Sequence, residues 1–107
     1  MQDKLVDLTA VLPLIRSNQT IALGGLTIYR RPVAFVRALL QRQPRPQNLT
    51  LLGFTAGLAS DMLVGGGCVA KTRTCYFGLE SFGLAPIFTK AVEDGLLTVI
   101  EESEASI

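Results

Sequence analysis

Residues 21–32, Ile-Ala-Leu-Gly-Gly-Leu-Thr-Ile-Tyr-Arg-Arg-Pro, constrain the fold more than any other stretch of the chain. The short β-branched and aliphatic run predicts a strand that ends at Gly24-Gly25. A missing Cβ there permits unusual dihedrals and a close approach by a ligand. Pro32 suits the first position of a helix, where an absent N–H costs nothing. Strand, glycine turn and helix start, in that order, form the step at which open α/β sheets gather anions and cofactors. The same order also builds a tight turn that binds nothing, so this stretch alone leaves both readings open.

The alternation continues along the chain. Leu8, Val11, Leu12 and Ile15 have helical spacing behind Asp7, a plausible N-cap, and predict a helix over 7–16 that Pro13 kinks or shortens. Thr20 to Leu23 is the first predicted strand, and Pro32 to Gln43 a helix closed by Pro44-Arg45-Pro46. Leu49 to Phe54 is a continuous apolar run, expected of a parallel strand covered on both faces. Gly53, Thr55 and Gly57 follow as a second flexible strand exit. A short helix over Leu58 to Val64 precedes Gly65-Gly66-Gly67. Thr72 to Phe77 predicts a third strand that leaves into Gly78-Leu79-Glu80-Ser81-Phe82-Gly83-Leu84. Pro86 opens another helix capped by Gly95, and Leu97 to Ile100 makes a fourth strand. The expected architecture is α/β, an open and mostly parallel Rossmann-like sheet with flanking helices. Its three glycine loops should lie along one carboxyl edge, where ligands bind in such folds.

Composition narrows the function. A chain of 107 residues is one domain at most, expected to occupy 1–107. Ten Lys and Arg against nine Asp and Glu give a net charge of +1, so no basic field points to nucleic acid or an anionic membrane. No apolar run approaches the ~20 residues of a membrane span. Asp3 and Asp7 stand where a signal peptide would be basic, so a cytoplasmic protein is expected. Hydrophobic content of 49% with 18% charged residues is rich for a small monomer and implies that apolar surface meets further polypeptide. Without histidine there is no imidazole base. Cys68 and Cys75, an odd number of residues apart on a strand, should face opposite sides and stay unpaired, so neither a disulfide nor a metal site is expected.

Two nucleotide motifs come close. Gly65 to Thr72 (GGGCVAKT) resembles a phosphate-binding loop with Ala70 in place of its second glycine, and also fits G-x-G-x-x-A. Both need a strand before and a helix after, and here the order is reversed. Among ionisable residues Glu80 stands out: flanked by Gly78, Leu79, Phe82 and Leu84, its carboxylate is expected to be partly desolvated and suited to nucleophilic or acid–base work. The alternative is a loop glutamate that caps the next helix. Arg30 and Arg31 offer planar donor forks for a phosphate or carboxylate, or else a solvated helix start. Glu101, Glu102 and Glu104 read as a solvated acidic end.

Taken together, SNQTIALGGLTIYRRPVAFVRAL, LTLLGFTAGLASDMLVGGG, RTCYFGLESFGLAPIFTKAVEDG and VIEESE resemble the α half of family I coenzyme A transferases, in its glutaconate CoA-transferase branch. The likeness spans essentially the whole chain in the same order. Asn18, Ile21, Ala22, Leu23, Gly24, Gly25 and Pro32 fit the first family signature, and Ser17, Leu26 and Arg30 depart from its usual Asp, Phe and Gly.

The resemblance implies transfer of CoA from an acyl-CoA to a carboxylic acid, a dicarboxylate or keto acid, by a ping-pong route. A glutamate attacks the thioester, and an acyl-glutamyl anhydride and a glutamyl-CoA thioester follow, which splits one hard exchange into easier steps. Backbone N–H groups at glycine-rich strand exits would stabilise the oxyanions. Coenzyme A is then a substrate, with no tightly bound cofactor or metal. In this family the nucleophile sits on the β subunit, within a Glu-Asn-Gly-like motif that this sequence lacks. Glu80 occupies the comparable loop of the α half. The expected site edge is Gly24, Gly25, Arg30, Arg31, Gly53 and Gly78, with Glu80 beside it. Family α halves are much longer, so the chain is expected to represent their N-terminal portion. It is expected to join a β subunit in a hetero- or homo-oligomer, and to be inactive alone. A non-catalytic binding or oligomerisation remnant of the fold is the alternative. A third reading is a small nucleotide- or sugar-phosphate-binding domain, which the lack of a proper phosphate loop weakens.

Overall fold

All four predicted strands form and all run parallel. The computed structural model describes residues 5–25 and 28–103, so Leu26 of the first signature and Glu104 of the acidic end lie outside the described residues. The elements are α1 (Leu8–Val11) continued by a 3-10 turn (Leu12–Leu14), β1 (Thr20–Ala22), α2 (Val33–Gln41), β2 (Leu49–Ala56), α3 (Leu58–Gly65), β3 (Val69–Phe77), a 3-10 turn (Glu80–Phe82), α4 (Pro86–Glu93) and β4 (Thr98–Glu101). The sheet order is β1-β2-β3-β4. Ile21 pairs with Leu51, Leu51 with Thr72, and Thr72 with Val99 across its width.

Local chemistry explains most boundaries, and several differ from expectation. Pro13 converts the end of the first helix to a 3-10 turn, and Asp7 takes the N-cap position without a side-chain cap hydrogen bond. Pro32 is the N-cap residue of α2 and not its first helical residue. Arg42 follows α2, and its guanidinium donates to the carbonyls of Leu12 and Ile15 at 2.6 and 2.7 Å, which ties the N-terminal turns to the C-terminal end of α2. Arg45 donates to the Leu40 carbonyl, one of those a helix C-terminus leaves unmatched. Gly53 lies inside β2 and the exit falls at Gly57, so the second glycine loop is shorter than expected. β3 begins at Val69, directly after the glycine triplet; the helix before it and strand after it are the reverse of a nucleotide loop.

The expectation that β2 is covered on both faces is not met. Leu49 and Leu51 join Val36, Leu39, Ala59, Leu63 and Cys68 in one core cluster on the helical side. The alternate residues Leu52 and Phe54 are only partly covered, with Phe54 45% exposed. The reason is topological. Consecutive parallel strands joined by right-handed crossovers place every connecting helix on the same side, and α2 packs on α3 as α3 packs on α4. The continuous apolar run of β2 therefore meets helices on one side only. Cys68 is buried in this core and Cys75 is exposed, both as free thiols; Cys68 precedes β3, so the expected strand alternation does not set its position.

Candidate functional site at the carboxyl edge of the sheet

Because the strands are parallel, their carboxyl ends and the loops that follow share one edge. At the β1 end lie Gly24, Gly25, Arg30 and Arg31. Gly25 has φ +100°, and a Cβ built there would stand 2.6 Å from the Arg30 carbonyl oxygen and 2.8 Å from that of Tyr29. The space a side chain would fill is already taken by the loop's own backbone, so Gly25 folds the loop and leaves no gap for a ligand. At Gly24 nothing among the described residues stands within 4 Å of such a Cβ, so of the two glycines this is the one with room for an approaching molecule. Arg31 Nη1 donates to the Gly24 carbonyl at 2.9 Å, bracing the loop across seven residues. Burial lowers the Arg31 pKa, while the guanidinium remains a cation at neutral pH. Arg30 is exposed and adopts φ +55°, a left-handed conformation that side-chain-bearing residues seldom take.

Two strands away, the β3 loop closes on itself. Gly78 N–H donates to the Ala56 carbonyl, Leu79 N–H to that of Gly83 and Gly83 N–H to that of Glu80. Gly78 and Leu84 form an antiparallel bridge. The Tyr76 hydroxyl oxygen accepts the Glu80 N–H at 3.2 Å and occupies the space a Cβ on Gly78 would need. Glu80 begins the 3-10 turn at φ +57° and is exposed, so the desolvated carboxylate expected from its apolar neighbours is not observed. Those neighbours, Phe82 and Leu84, are exposed as well and do not cover it. Gly53 is mid-strand with only ordinary contact to Ala56, and does not belong to the edge.

The sequence gives no sign of a hollow of about 290 Å³ at the β3–β4 end. Phe77 and Phe88, stacked with centroids 4.0 Å apart, form one wall, and Glu101 and Glu102 border it. Glu102 is paired with Arg73 at 2.8 Å and its side chain is 12% exposed, so this part of the acidic end is structural and not simply solvated. Across a four-strand sheet about 14 Å wide, the carboxyl edge is cationic at β1 and acidic at β4. An anionic ligand is therefore favoured at the Gly24 and Arg31 end.

One further residue positions this edge. Asp61, in the middle of α3, is 3% exposed, and its Oδ1 accepts the Phe88 N–H at 2.7 Å. It supplies from a neighbouring helix the cap that α4 lacks in its own sequence. Burial raises its pKa, and the Phe88 and Ile87 N–H groups draw it back down. The sequence signal was a lone carboxylate inside an otherwise apolar helix.

An all-parallel α/β unit with a glycine-rich, cation-bearing carboxyl edge is the class that fold and site define. No family model matches the chain. Among curated proteins it is 35% identical over 96 residues to the A subunit of glutaconate CoA-transferase from Acidaminococcus fermentans, covering 89% of this chain and 29% of that subunit. It is 32% identical over 110 residues to the IpdA subunit of the cholesterol ring-cleaving hydrolase from Rhodococcus jostii, covering 99% of this chain and 35% of that one. The crystal structure of the A. fermentans transferase superposes with TM-score 0.81 at 34% identity over 92% of this chain and 31% of that chain. A variant of the decarboxylase AibA/AibB gives TM-score 0.81 at 26% identity over 92% and 38%. The chain is a homologue of the A subunit of glutaconate CoA-transferase. It spans about a third of the length of the curated relatives it matches.

Proposed function

We propose that this chain is the N-terminal α/β portion of the A subunit of a CoA-transferase, occupying residues 1–107 as one domain and working with a B subunit that carries the nucleophilic glutamate. The observation that carries this reading is the 35% identity to the A. fermentans transferase over 89% of the chain, on the same fold. In this reading the Gly24 end of the edge faces the acyl-CoA. Arg31 holds the loop in shape and adds positive charge where the thioester oxygen becomes an oxyanion, and backbone N–H groups of the loop stabilise that charge. Arg30 and Gly78 border the same edge. The acceptor is a small dicarboxylate or keto acid. Coenzyme A enters and leaves as substrate, with no cofactor held tightly between turnovers. Among the described residues no cluster of three or more metal-ligating side chains occurs. No helix among them is long and apolar enough to cross a membrane.

The test is CoA transfer from acetyl-CoA to glutaconate. The chain is fused to the part of the A. fermentans A subunit that it does not match, and co-expressed with the B subunit. Formation of a defined complex with turnover is the expected result, and a complex that binds but never transfers CoA overturns the reading. Glu80, exposed and without the role of nucleophile, should tolerate Glu80→Gln with a change of less than about fivefold in kcat; a loss of about a thousandfold or more, the scale of a missing nucleophile, would place it in the chemistry.

A second reading rests on Phe82, Leu84 and Leu96, which are 77%, 74% and 74% exposed. Such apolar surface suits a binding or oligomerisation module. Light scattering on the chain alone and mixed with the B subunit separates the two: a stable self-oligomer that ignores the B subunit favours the module.

A further inference from the structure

A groove of about 440 Å³ lies where α4 meets the end of α3, lined on its apolar side by Val64, Gly65, Pro86, Ile87, Ala91 and Leu96. Leu96, just past α4, is exposed at its border. Ile87, Lys90, Ala91 and Asp94 recur at i, i+3, i+4 and i+7 and so share one stripe beside the groove. Lys90 and Asp94 are its two charged residues, paired within the chain at 3.2 Å and both open to solvent. That pairing is weakly placed. Asp94 holds the C-cap position, where the helix dipole disfavours a negative charge, and a lysine ahead of the acid is the poorer order for such a pair. The Asp94 charge is better satisfied beside the first turn of another helix, and a two-fold axis supplies one. When α4 meets a second α4 antiparallel, with the axis beside Ala91, Asp94 comes opposite the first turn of the other helix and within reach of its Lys90. Leu96 then comes opposite Pro86 and Ile87 of the second copy. Ala91 is small, so two such helices can approach to the short end of the ~8–10 Å interaxial range.

We infer that the groove between α3 and α4 is an isologous interface between two copies of this chain. α4 lies antiparallel to α4, Leu96 of each copy fills the groove of the other, and Lys90 faces Asp94 in both directions. Each contact is made twice, the self-complementarity that a two-fold dimer requires. The surface shares no residue with the edge proposed for CoA transfer, so the pairing stands whether or not the chain is a transferase portion. It also goes beyond the module reading, because it names the face, the partner and the charges that set the register.

The experiment is sedimentation equilibrium of the 107-residue chain and its variants, with no assay of activity. The chain should form a concentration-dependent dimer, and one that stays monomeric up to about 1 mM overturns the inference. Leu96→Asp, at an exposed position, should keep the circular dichroism of wild type and weaken dimerisation at least about tenfold. Phe54→Asp, on the other side of the sheet, should change it less than about twofold. Charge reversal then separates an α4–α4 contact from any other. Asp94→Lys gives each copy two cations on the stripe and Lys90→Asp gives it two anions, so each variant alone should dimerise at least about tenfold more weakly. An equimolar mixture of the two variants should form a one-to-one heterodimer. The mixture restores opposite charges across the axis but not the pair within either chain, so an effect on the helix alone cannot imitate it. Single variants that dimerise as wild type does, a mixture that stays monomeric, or a dimer that Phe54→Asp dissolves and Leu96→Asp leaves intact overturns the inference.

Discussion

Gly25→Val should destabilise the domain by roughly 2–4 kcal/mol and, on the proposed function, remove CoA transfer from the fusion assembled with the B subunit, whereas Gly24→Ala should leave stability close to wild type. The contrast between adjacent glycines follows from their surroundings. At Gly25 a Cβ would meet two backbone oxygens at 2.6 and 2.8 Å, and backbone atoms cannot turn aside as a side-chain end can. The φ of +100° is strained for any L side chain, and worse for a β-branched one. The loop must therefore open, taking with it the Gly24 carbonyl that Arg31 holds. From the sequence one expects Gly25→Val to silence the site in a protein that stays folded; the structure predicts a loss of stability as well, because this glycine serves the fold of the loop. Urea unfolding of the three proteins, with turnover of the reconstituted complex, checks both parts. A Gly25→Val protein with wild-type midpoint and turnover would remove the loop from both roles.

How far the sequence reveals this molecule depends on whether the deciding contact is local. The alternation of apolar runs with glycine and proline marks is local, and the four strands and their parallel order follow from it. The apolar run of Leu49 to Phe54 is equally local, but whether it is covered on both faces depends on which side the crossovers pass, a property of the whole topology. Glu80 shows the limit from the other side. Apolar sequence neighbours suggested a desolvated carboxylate, but a three-residue turn at φ +57° carries it outward while Phe82 and Leu84 also point into solvent. Grouping Gly24, Gly25, Arg30 and Arg31 needed only chain adjacency. The hollow lined by Phe77 and Phe88, the Tyr76 hydroxyl under Glu80, and the pairing of Arg73 with Glu102 depend on register across strands and helix docking, which periodicity does not encode.

Asp61→Ala should lower stability by about 2 kcal/mol, roughly 10 °C in Tm for a domain of this size, and Asp61→Asn by about half as much. Alanine leaves the Phe88 N–H buried without its acceptor, while asparagine keeps an oxygen in reach. The consequence extends past α4 itself. Phe88 stacks on Phe77 at the end of β3, so loosening the first turn of α4 frees the wall that shapes the carboxyl edge. The pH dependence has a definite sign. Burial raises the Asp61 pKa above its unfolded value near 3.8, so between those two values the folded state binds more protons than the unfolded one. The Asp61 contribution is then most favourable below the unfolded pKa, falls as pH rises through the window up to the folded pKa, and is level above it. Asp61→Asn removes a titrating group and with it that decline. Thermal unfolding of wild type and Asp61→Asn from about pH 3.5 to 7 measures it: the stability difference between them should shift in favour of asparagine as pH rises. A difference that stays constant across the window would mean that the Phe88 and Ile87 N–H groups fully offset the cost of burying the carboxylate.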